Sequence, residues 1–253
     1  MISVTASEIG QYIQKGCSLK YGTSTSIFNP ELRGQIVEKI IKELIISQYN
    51  LKYDFFRRDL KCIDVTTYID YTLAKYFHSL QKYSEEERDN LKTYLLKTIS
   101  SLFFYSNGFI NTLYDFYVQF RNPITFEKRI KGKIGSYNIN ARIDYWYEIG
   151  LQVIIGEIKD RIWLYPFPNP GDYVQALLGA LLASRKGLIL KYFWILYVPV
   201  SKCHYLCLYP GVVNLLVETL LRYNKSLYPN SCDWCKSLYK KCPYELIGGE
   251  TSD

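Results

Sequence analysis

The stretch that most constrains the fold of this chain runs over residues 142–159, where two predicted strands follow each other across a short turn. Ile143, Tyr145 and Tyr147 alternate with Arg142, Asp144 and Trp146, which is the period of a half-buried strand. Residues 148–150 break this pattern, and residues 153–155 then form an apolar run that is typical of a strand buried on both faces. The chain is therefore expected to fold around a β-sheet.

Two carboxylates and an ammonium group are expected to meet at the end of this stretch. Glu157 and Lys159 are two residues apart, so on a strand they project from one face while Ile158 points into the core. Asp144 lies on the preceding strand. Such a set can hold a hard divalent cation by oxygen ligands and place a positive charge beside a metal-activated water. A Glu and a Lys on a strand are also commonly an ordinary solvated pair, so the trio alone leaves both interpretations open.

Length, charge and histidine content narrow the class of protein. The 253 residues, 48% of them hydrophobic, are enough for one large domain with a filled core. The formal net charge of +7 is compatible with a polyanionic partner. The two histidines, His78 and His204, leave few options for zinc or nucleophilic catalysis that depends on histidine. Without a long apolar run or a leader, we expect a cytoplasmic protein with no membrane attachment.

The remaining patterns predict an α/β order along the chain. The expected elements are helices at 5–16, 30–47, 65–80 and 84–106, strands at 124–130, 137–147 and 151–159, a helix at 172–185, strands at 188–199 and 202–209, and a helix at 212–223. Residues 131–135 are expected to form a turn, and the prolines at 166, 168 and 170 to mark a loop. The order indicates a single domain over 1–253: a mainly helical part at 1–120, an αβββαβ-type core at 121–228 and a tail at 229–253.

The tail contains three closely spaced cysteines, Cys232, Cys235 and Cys242. Thiolates a few residues apart indicate a metal site, because a chain that turns around one centre delivers its ligands at such spacings. Three thiolates leave a tetrahedron incomplete, and Cys17 is the natural candidate for the fourth. Four thiolates suit zinc as well as iron. The other cysteines are predicted to be core residues: Cys62, Cys203 and Cys207.

These motifs together resemble the PD-(D/E)XK nuclease superfamily. More narrowly they resemble the RecB-like iron–sulfur nucleases, above all the CRISPR-associated exonuclease (Cas-four) family. The matching residues are Asp144 in RIDYW, Glu157 and Lys159 in GEIKD, Gln175 on the following helix, the early Cys17 and the three late cysteines. They follow the family's order over nearly the whole chain.

Two departures from the family pattern predict a divergent member. The family usually has a histidine on an early helix after an Arg-Gly pair, whereas here Arg33 and Gly34 lead to Glu38. It also usually has a tyrosine four residues after the glutamine, and Gly179 occupies that position here, with Tyr173 nearby.

The resemblance implies a fold and an activity. The expected fold is an α/β, restriction-endonuclease-like core with a mixed central sheet, an N-terminal helical insertion and a C-terminal iron–sulfur segment. The expected activity is that of a metal-dependent DNA exonuclease acting on single-stranded ends, in CRISPR spacer acquisition beside an integrase complex. Assembly into a homo-oligomer is left open. The alternatives are a free-standing recombination, repair or viral nuclease, and a catalytically decayed DNA-binding assembly subunit.

The resemblance also assigns roles to residues. Asp144 and Glu157, with the backbone carbonyl of Ile158, would hold Mg²⁺ or Mn²⁺, and Glu38 is a candidate additional ligand. Lys159 would orient the attacking water and stabilise developing negative charge, and Gln175 would position the water or the DNA backbone. A 4Fe-4S cluster is expected on four cysteines: Cys17, Cys232, Cys235 and Cys242. Contacts to DNA are assigned to three residues: Arg33, Arg142 and Tyr173.

Overall fold

A mixed β-sheet with helices packed on it forms the framework of the described part of the chain. The computed structural model describes residues 2–15, 28–50, 65–105, 124–163, 167–206 and 210–223. Its strands are β1 (Ile2–Thr5), β2 (Thr125–Ile134), β3 (Tyr137–Ile149), β4 (Gln152–Lys159), β5 (Ile189–Tyr197) and β6 (Lys202–Leu206). Its helices are α1 (Ala6–Lys15), α2 (Pro30–Asn50), α3 (Val65–Lys75), α4 (Phe77–Leu80), α5 (Glu85–Tyr105), α6 (Pro170–Arg185), the 3₁₀ turn Val198–Val200 and α7 (Pro210–Tyr223).

The longest described strand, β3, organises the sheet. One edge of β3 pairs with β2 in antiparallel register, from Thr125 opposite Trp146 to Ile134 opposite Tyr137. Its other edge pairs with β1 in parallel near one end and with β4 in antiparallel near the other. From β4 the sheet continues to β5 in parallel and to β6 in antiparallel. This is an α/β arrangement with a mixed central sheet, as the sequence predicts.

The two strands β1 and β4 share the same edge of β3, one after the other. Asn138 pairs with residues of both β1 and β2, and Trp146 pairs with residues of both β2 and β4. A strand has two hydrogen-bonding edges, and β2 occupies one edge of β3. Both β1 and β4 must therefore pair with the other edge. The pairing with β1 ends at Asn140 and the pairing with β4 begins at Tyr145. Among the described residues, no strand pairs with this edge of β3 over residues 141–144, and we call this stretch the open edge.

Helices cover both faces of the sheet and form two apolar cores. On one face, α1, α6 and α7 pack over a core that includes Ile143 and Val153. On the other face, α2, α3 and α5 pack over a core that includes Tyr145 and Ile154. The prediction of a half-buried strand at residues 143–147 is therefore wrong, because Trp146 is buried on the face that was expected to meet solvent.

Two glycines in the predicted turn at residues 131–135 have different roles, and the predicted turn is too long. β2 continues to Ile134, and only Gly135, with φ of 59°, begins the turn into β3. A Cβ on Gly132 would lie 2.7 Å from the side chain of Leu182 on α6. Gly132 is thus a strand residue that allows α6 to approach the sheet closely.

Several element boundaries differ from the sequence predictions for local reasons. The strand β1 was missed, since four residues directly before a helix carry little periodic signal. The helix predicted over residues 65–80 is two helices, α3 and α4, separated at Tyr76. Pro170, predicted to lie in a loop, begins α6, where Asn169 caps the helix through the amides of Gly171 and Asp172. Among the described helices, none has both the length and the apolar character that crossing a bilayer requires.

Candidate active site

The open edge of β3 is the base of a cleft. Beyond the last pair, Tyr145 with Gly156, the amide of Ile158 donates to the Asp144 carboxylate at 2.9 Å, so a side chain takes the place of a ladder hydrogen bond. Asp144 is buried, with 4% of its surface exposed. β4 itself remains paired with β5 as far as Lys159. Because β3 and β4 stop pairing at this point, the Asp144 side chain lies between them and contacts the end of β4.

Glu157, Lys159 and Gln175 form a closed triangle of hydrogen bonds next to this point. Lys159 Nζ donates to Glu157 Oε2 at 3.2 Å and to Gln175 Oε1 at 3.0 Å, and Gln175 Nε2 donates to Glu157 Oε2 at 3.1 Å. Both charged side chains of β4 are buried, so this is not a solvated pair. The shared strand face expected for Glu157 and Lys159 is confirmed by their contact.

Glu38 reaches the cleft from α2. Its side chain is 14% exposed, and its Oε1 accepts from Lys42 Nζ at 2.5 Å. The guanidinium of Arg142 lies 3.4 Å from Glu38 Oε2 and 3.9 Å from Asp144 Oδ1. Glu38 is therefore a largely buried residue at the cleft, and its i,i+4 pair with Lys42 is shielded from solvent.

One oxygen of each cleft carboxylate is fixed by a hydrogen bond. These oxygens are Asp144 Oδ2, Glu157 Oε2 and Glu38 Oε1. The hydrogen bond on the first oxygen holds each carboxylate in one orientation and so fixes the position of its second oxygen. Such oxygen donors suit a hard cation such as Mg²⁺ or Mn²⁺. Within the described residues, no group of three or more His, Cys, Asp or Glu side chains is already arranged around a metal position.

A second set of contacts around Lys159 was not anticipated from the sequence. Asp172 Oδ1 lies 4.0 Å from Lys159 Nζ and 3.5 Å from Arg161 Nη1. Its other oxygen accepts from the Tyr197 hydroxyl at 2.9 Å. A signal was available, because Asp172 precedes Gln175 by three residues and so shares its helix face.

Arg33 and Tyr173 are buried and do not line the cleft, contrary to the predicted DNA contacts. Arg33 donates to Asp160 at 2.6 Å, and Tyr94 donates to the other oxygen of that carboxylate at 2.6 Å. This cluster joins α2, α5 and the end of β4 beneath the cleft. Tyr173 is 1% exposed and packs against Phe193 in the core. Tyr173 does not share the face of Gln175, because residues two apart on a helix project in nearly opposite directions.

The proton affinities of the site follow from burial and crowding. Burial, and then the charge of Glu157, raise the pKa of Asp144 to about 6. Burial likewise raises the pKa of Glu157, and burial with the charge of Asp144 raises that of Glu38. Burial lowers the pKa of Lys159, but Glu157, Asp172 and Asp144 together outweigh it and the pKa is raised. Burial thus opposes ionisation of the three carboxyl groups, while the nearby carboxylates hold the proton on Lys159.

The cleft has a volume of about 750 Å³ and a basic rim. Asp144, Lys159 and Gln175 lie in its wall, with Glu38 from α2. The cationic side chains of its rim are Arg129, Lys131, Arg142 and Arg161. A rim of this charge attracts an anionic ligand, while the carboxylates at the base attract a cation.

The predicted thiolate ligands Cys17, Cys232, Cys235 and Cys242 lie outside the described residues, as do Cys62 and Cys207. The helices that lead towards the two cysteine segments are in contact. The ring of Tyr12, near the end of α1, packs edge-on against the ring of Tyr223, the last residue of α7, with 4.9 Å between centroids. The remaining described cysteine, Cys203, is half-buried on β6.

Comparison with known proteins adds little. No protein-family model matches the chain, and no curated protein is significantly similar to it in sequence. Among solved structures, the crystal structure of SSO0001 is similar with a TM-score of 0.34 and 15% identity, over 94% of this chain and 93% of that one. A similarity of this size defines neither fold nor function. The class that the structure itself defines is an α/β protein with a mixed central sheet and a buried carboxylate–lysine site.

Proposed function

We propose that this protein is a metal-dependent deoxyribonuclease with a PD-(D/E)XK-type core. The observation that carries the proposal is the convergence of Asp144, Glu157, Lys159 and Gln175, from β3, β4 and α6. Asp144, Lys159 and Gln175 line one cleft together with basic side chains, and the buried Glu157 is hydrogen-bonded to Lys159 and Gln175. The same four residues are those that the family resemblance assigns to the active site.

The chain's own residues fit a catalytic division of labour. Asp144 and Glu157, with the carbonyl of Ile158, would hold Mg²⁺ or Mn²⁺, and the metal would supply Lewis acidity and an activated water. Lys159 keeps its proton, because three carboxylates surround it, and can therefore stabilise negative charge developing on a phosphate. Gln175 hydrogen-bonds to both Glu157 and Lys159 and so fixes the position of the carboxylate relative to the ammonium group.

The substrate and context of the proposal come from the basic rim and from the family resemblance. Arg129, Lys131, Arg142 and Arg161 suit a phosphodiester backbone. The resemblance favours single-stranded DNA ends, in CRISPR spacer acquisition with an integrase complex. A free-standing recombination, repair or viral nuclease would use the same residues, and the genes beside the coding sequence would distinguish these contexts.

The proposal includes a 4Fe-4S cluster on Cys17, Cys232, Cys235 and Cys242. Its support is the contact of Tyr12 with Tyr223, because the two segments that contain these cysteines depart from neighbouring points of the fold. Anaerobically purified protein should contain about four irons per chain and absorb near ~400 nm. Stoichiometric zinc in a colourless preparation would contradict the cluster.

Cleavage of labelled single-stranded DNA in Mn²⁺ tests the nuclease. Glu157→Ala should lower the rate by about two orders of magnitude or more, since it removes a ligand and a partner of Lys159. Glu148→Ala is the matched control, because Glu148 is an exposed carboxylate on β3 outside the cleft. Near-normal cleavage by Glu157→Ala would place the chemistry elsewhere.

The second candidate is a DNA-binding assembly subunit with a decayed active site. It is favoured by Glu38 standing where the family has a histidine and by the absence, among the described residues, of a preformed three-ligand group. Wild-type protein that binds single-stranded DNA but does not cleave it in Mg²⁺ or Mn²⁺ would establish this function instead.

A further inference from the structure

Arg142 is placed to interact with two different charged partners. It lies on the open edge of β3, and its guanidinium is within ion-pair distance of Glu38 at 3.4 Å and of Asp144 at 3.9 Å. Its side chain is also 52% exposed and forms part of the cleft wall. A long side chain that is half-exposed can leave one partner for another without disturbing the fold.

The carboxylates beside Arg142 are those that would attract a cation. A divalent ion held by Asp144 would neutralise this carboxylate and repel the guanidinium, so the ion and Arg142 compete for the same negative charge. Guanidinium groups bind phosphate as well as carboxylate, because both acceptors match their fork of N–H donors. Once displaced, Arg142 would still lie within the cleft, where a phosphodiester would pass.

We propose that Arg142 couples metal binding to nucleic-acid binding, by exchanging Glu38 and Asp144 for a substrate phosphate when a divalent cation occupies the site. The inference rests on the proposed function, since it requires both a metal and a nucleic acid in this cleft. It assigns Arg142 a role beyond general attraction of a polyanion. By linkage, the nucleic acid would strengthen metal binding by the same factor as the metal strengthens nucleic-acid binding.

Arg129 provides a matched control for this exchange. It pairs directly with Arg142 in the β2–β3 ladder, and it lines the same cleft. Among the described residues, no ion pair joins Arg129 to Glu38 or Asp144. Replacing either arginine by glutamine removes one positive charge from the cleft, but only the change at Arg142 removes a competitor for the carboxylates.

The first measurement is Mn²⁺ affinity by calorimetry without nucleic acid. Arg142→Gln should bind Mn²⁺ about fivefold more tightly than wild type, because the metal no longer has to break the half-exposed ion pairs of Arg142. Arg129→Gln should change the affinity by less than about twofold, because it removes only long-range repulsion. An unchanged or weaker affinity of Arg142→Gln, or an equal gain in Arg129→Gln, would overturn the exchange.

The second measurement is anisotropy of a fluorescein-labelled dT20 strand in EDTA and in Ca²⁺, a cation used here to limit cleavage. Arg142→Gln should weaken DNA binding about fivefold more in Ca²⁺ than in EDTA, because the guanidinium is released to the phosphate only when the cation is present. Arg129→Gln should weaken binding equally in both. Equal losses for Arg142→Gln would contradict the coupling.

Different outcomes would contradict the metal site and the exchange of Arg142. Wild-type protein that shows no Mn²⁺ binding removable by Glu157→Ala would overturn the proposed function and the exchange with it. Mn²⁺ binding that depends on Glu157 but is indifferent to Arg142 would overturn the exchange alone.

Discussion

Charged side chains at and beside the cleft are neutralised by ion pairs with neighbouring side chains rather than by solvent. Lys42 is buried, and its ammonium contacts Glu38 at 2.5 Å and Glu127 at 2.8 Å. Glu127 has a φ of 53°, an uncommon backbone conformation for a residue with a side chain. Its strand position lies between the pairs Phe126–Tyr145 and Lys128–Ile143, and so opposite Asp144. Backbone strain is thus located beside the proposed metal ligands, where strained residues tend to cluster.

The role of Glu38 is testable at the same scale. Glu38→Gln should raise the Mn²⁺ concentration that gives half-maximal binding several-fold, about threefold to tenfold, because an amide is isosteric but supplies no charge to a hard cation. Glu38→His should retain activity. The control is Glu43→Gln, which disrupts another i,i+4 pair of α2, that of Glu43 with Lys39, and the contact of Glu43 with Lys75 on α3. A metal titration of Glu38→Gln that overlays wild type would show that Glu38 serves Lys42 alone.

The site residues that the sequence identified are those whose geometry is local. Glu157 and Lys159 share a face because strand side chains alternate, and Gln175 follows on the next helix. Contacts between distant segments, such as Lys42 with Glu127 or Arg33 with Asp160, have no periodic signature and could not be predicted. Asp144 was found because the strand that contains it precedes β4 directly.

At the scale of elements, glycines determine how closely strands and helices approach. An added Cβ on Gly156 of β4 would overlap the ring of Trp194, which is fully buried on β5. On α2, a Cβ on Gly34 would make an ordinary contact of 3.9 Å with Asp160. Packing against Trp194 therefore requires a glycine at position 156, whereas the space around Gly34 would accept a Cβ.

These two glycines should respond to alanine in opposite directions. Gly156→Ala should lower the free energy of unfolding by about 1–3 kcal/mol or more, because the buried ring has no space to move. Gly34→Ala should raise it by up to about 1 kcal/mol, because alanine favours the helix. Chemical denaturation measures both changes, and a Gly156→Ala variant as stable as wild type would contradict the packing argument.

At the scale of the whole molecule, a buried acid, Asp144, and a half-buried histidine, His204, give pH dependences of opposite sign. The pKa of Asp144 is raised to about 6, so its contribution to stability is present below its unfolded value and is lost as the pH rises through 6. Burial lowers the pKa of His204 to about 4, so its contribution is present above 6.5 and is lost as the pH falls. Wild-type stability therefore reports the sum of opposing slopes.

Comparison with Asp144→Asn isolates the carboxyl group. The asparagine oxygen can still accept from Ile158, but the side chain does not titrate. The free energy of unfolding of Asp144→Asn minus that of wild type should increase between pH 4 and pH 7, by at most about 3 kcal/mol. Urea titrations in EDTA measure the difference, and the His204 contribution cancels. A difference independent of pH would show that Asp144 is ionised as readily in the fold as in the unfolded chain.

The shared edge of β3 has a consequence for the order of assembly during synthesis. Ile2 pairs with Tyr137, so β1 leaves the ribosome long before the strand that receives it. The cleft, which both Thr5 and Asp144 line, is thus assembled from distant parts of the chain. Contacts of such sequence separation form late, after the local hairpin of β3 and β4. In a nascent chain, the β3–β4 hairpin that contains Asp144 and Glu157 is therefore expected to form first, and β1 to pair with β3 afterwards.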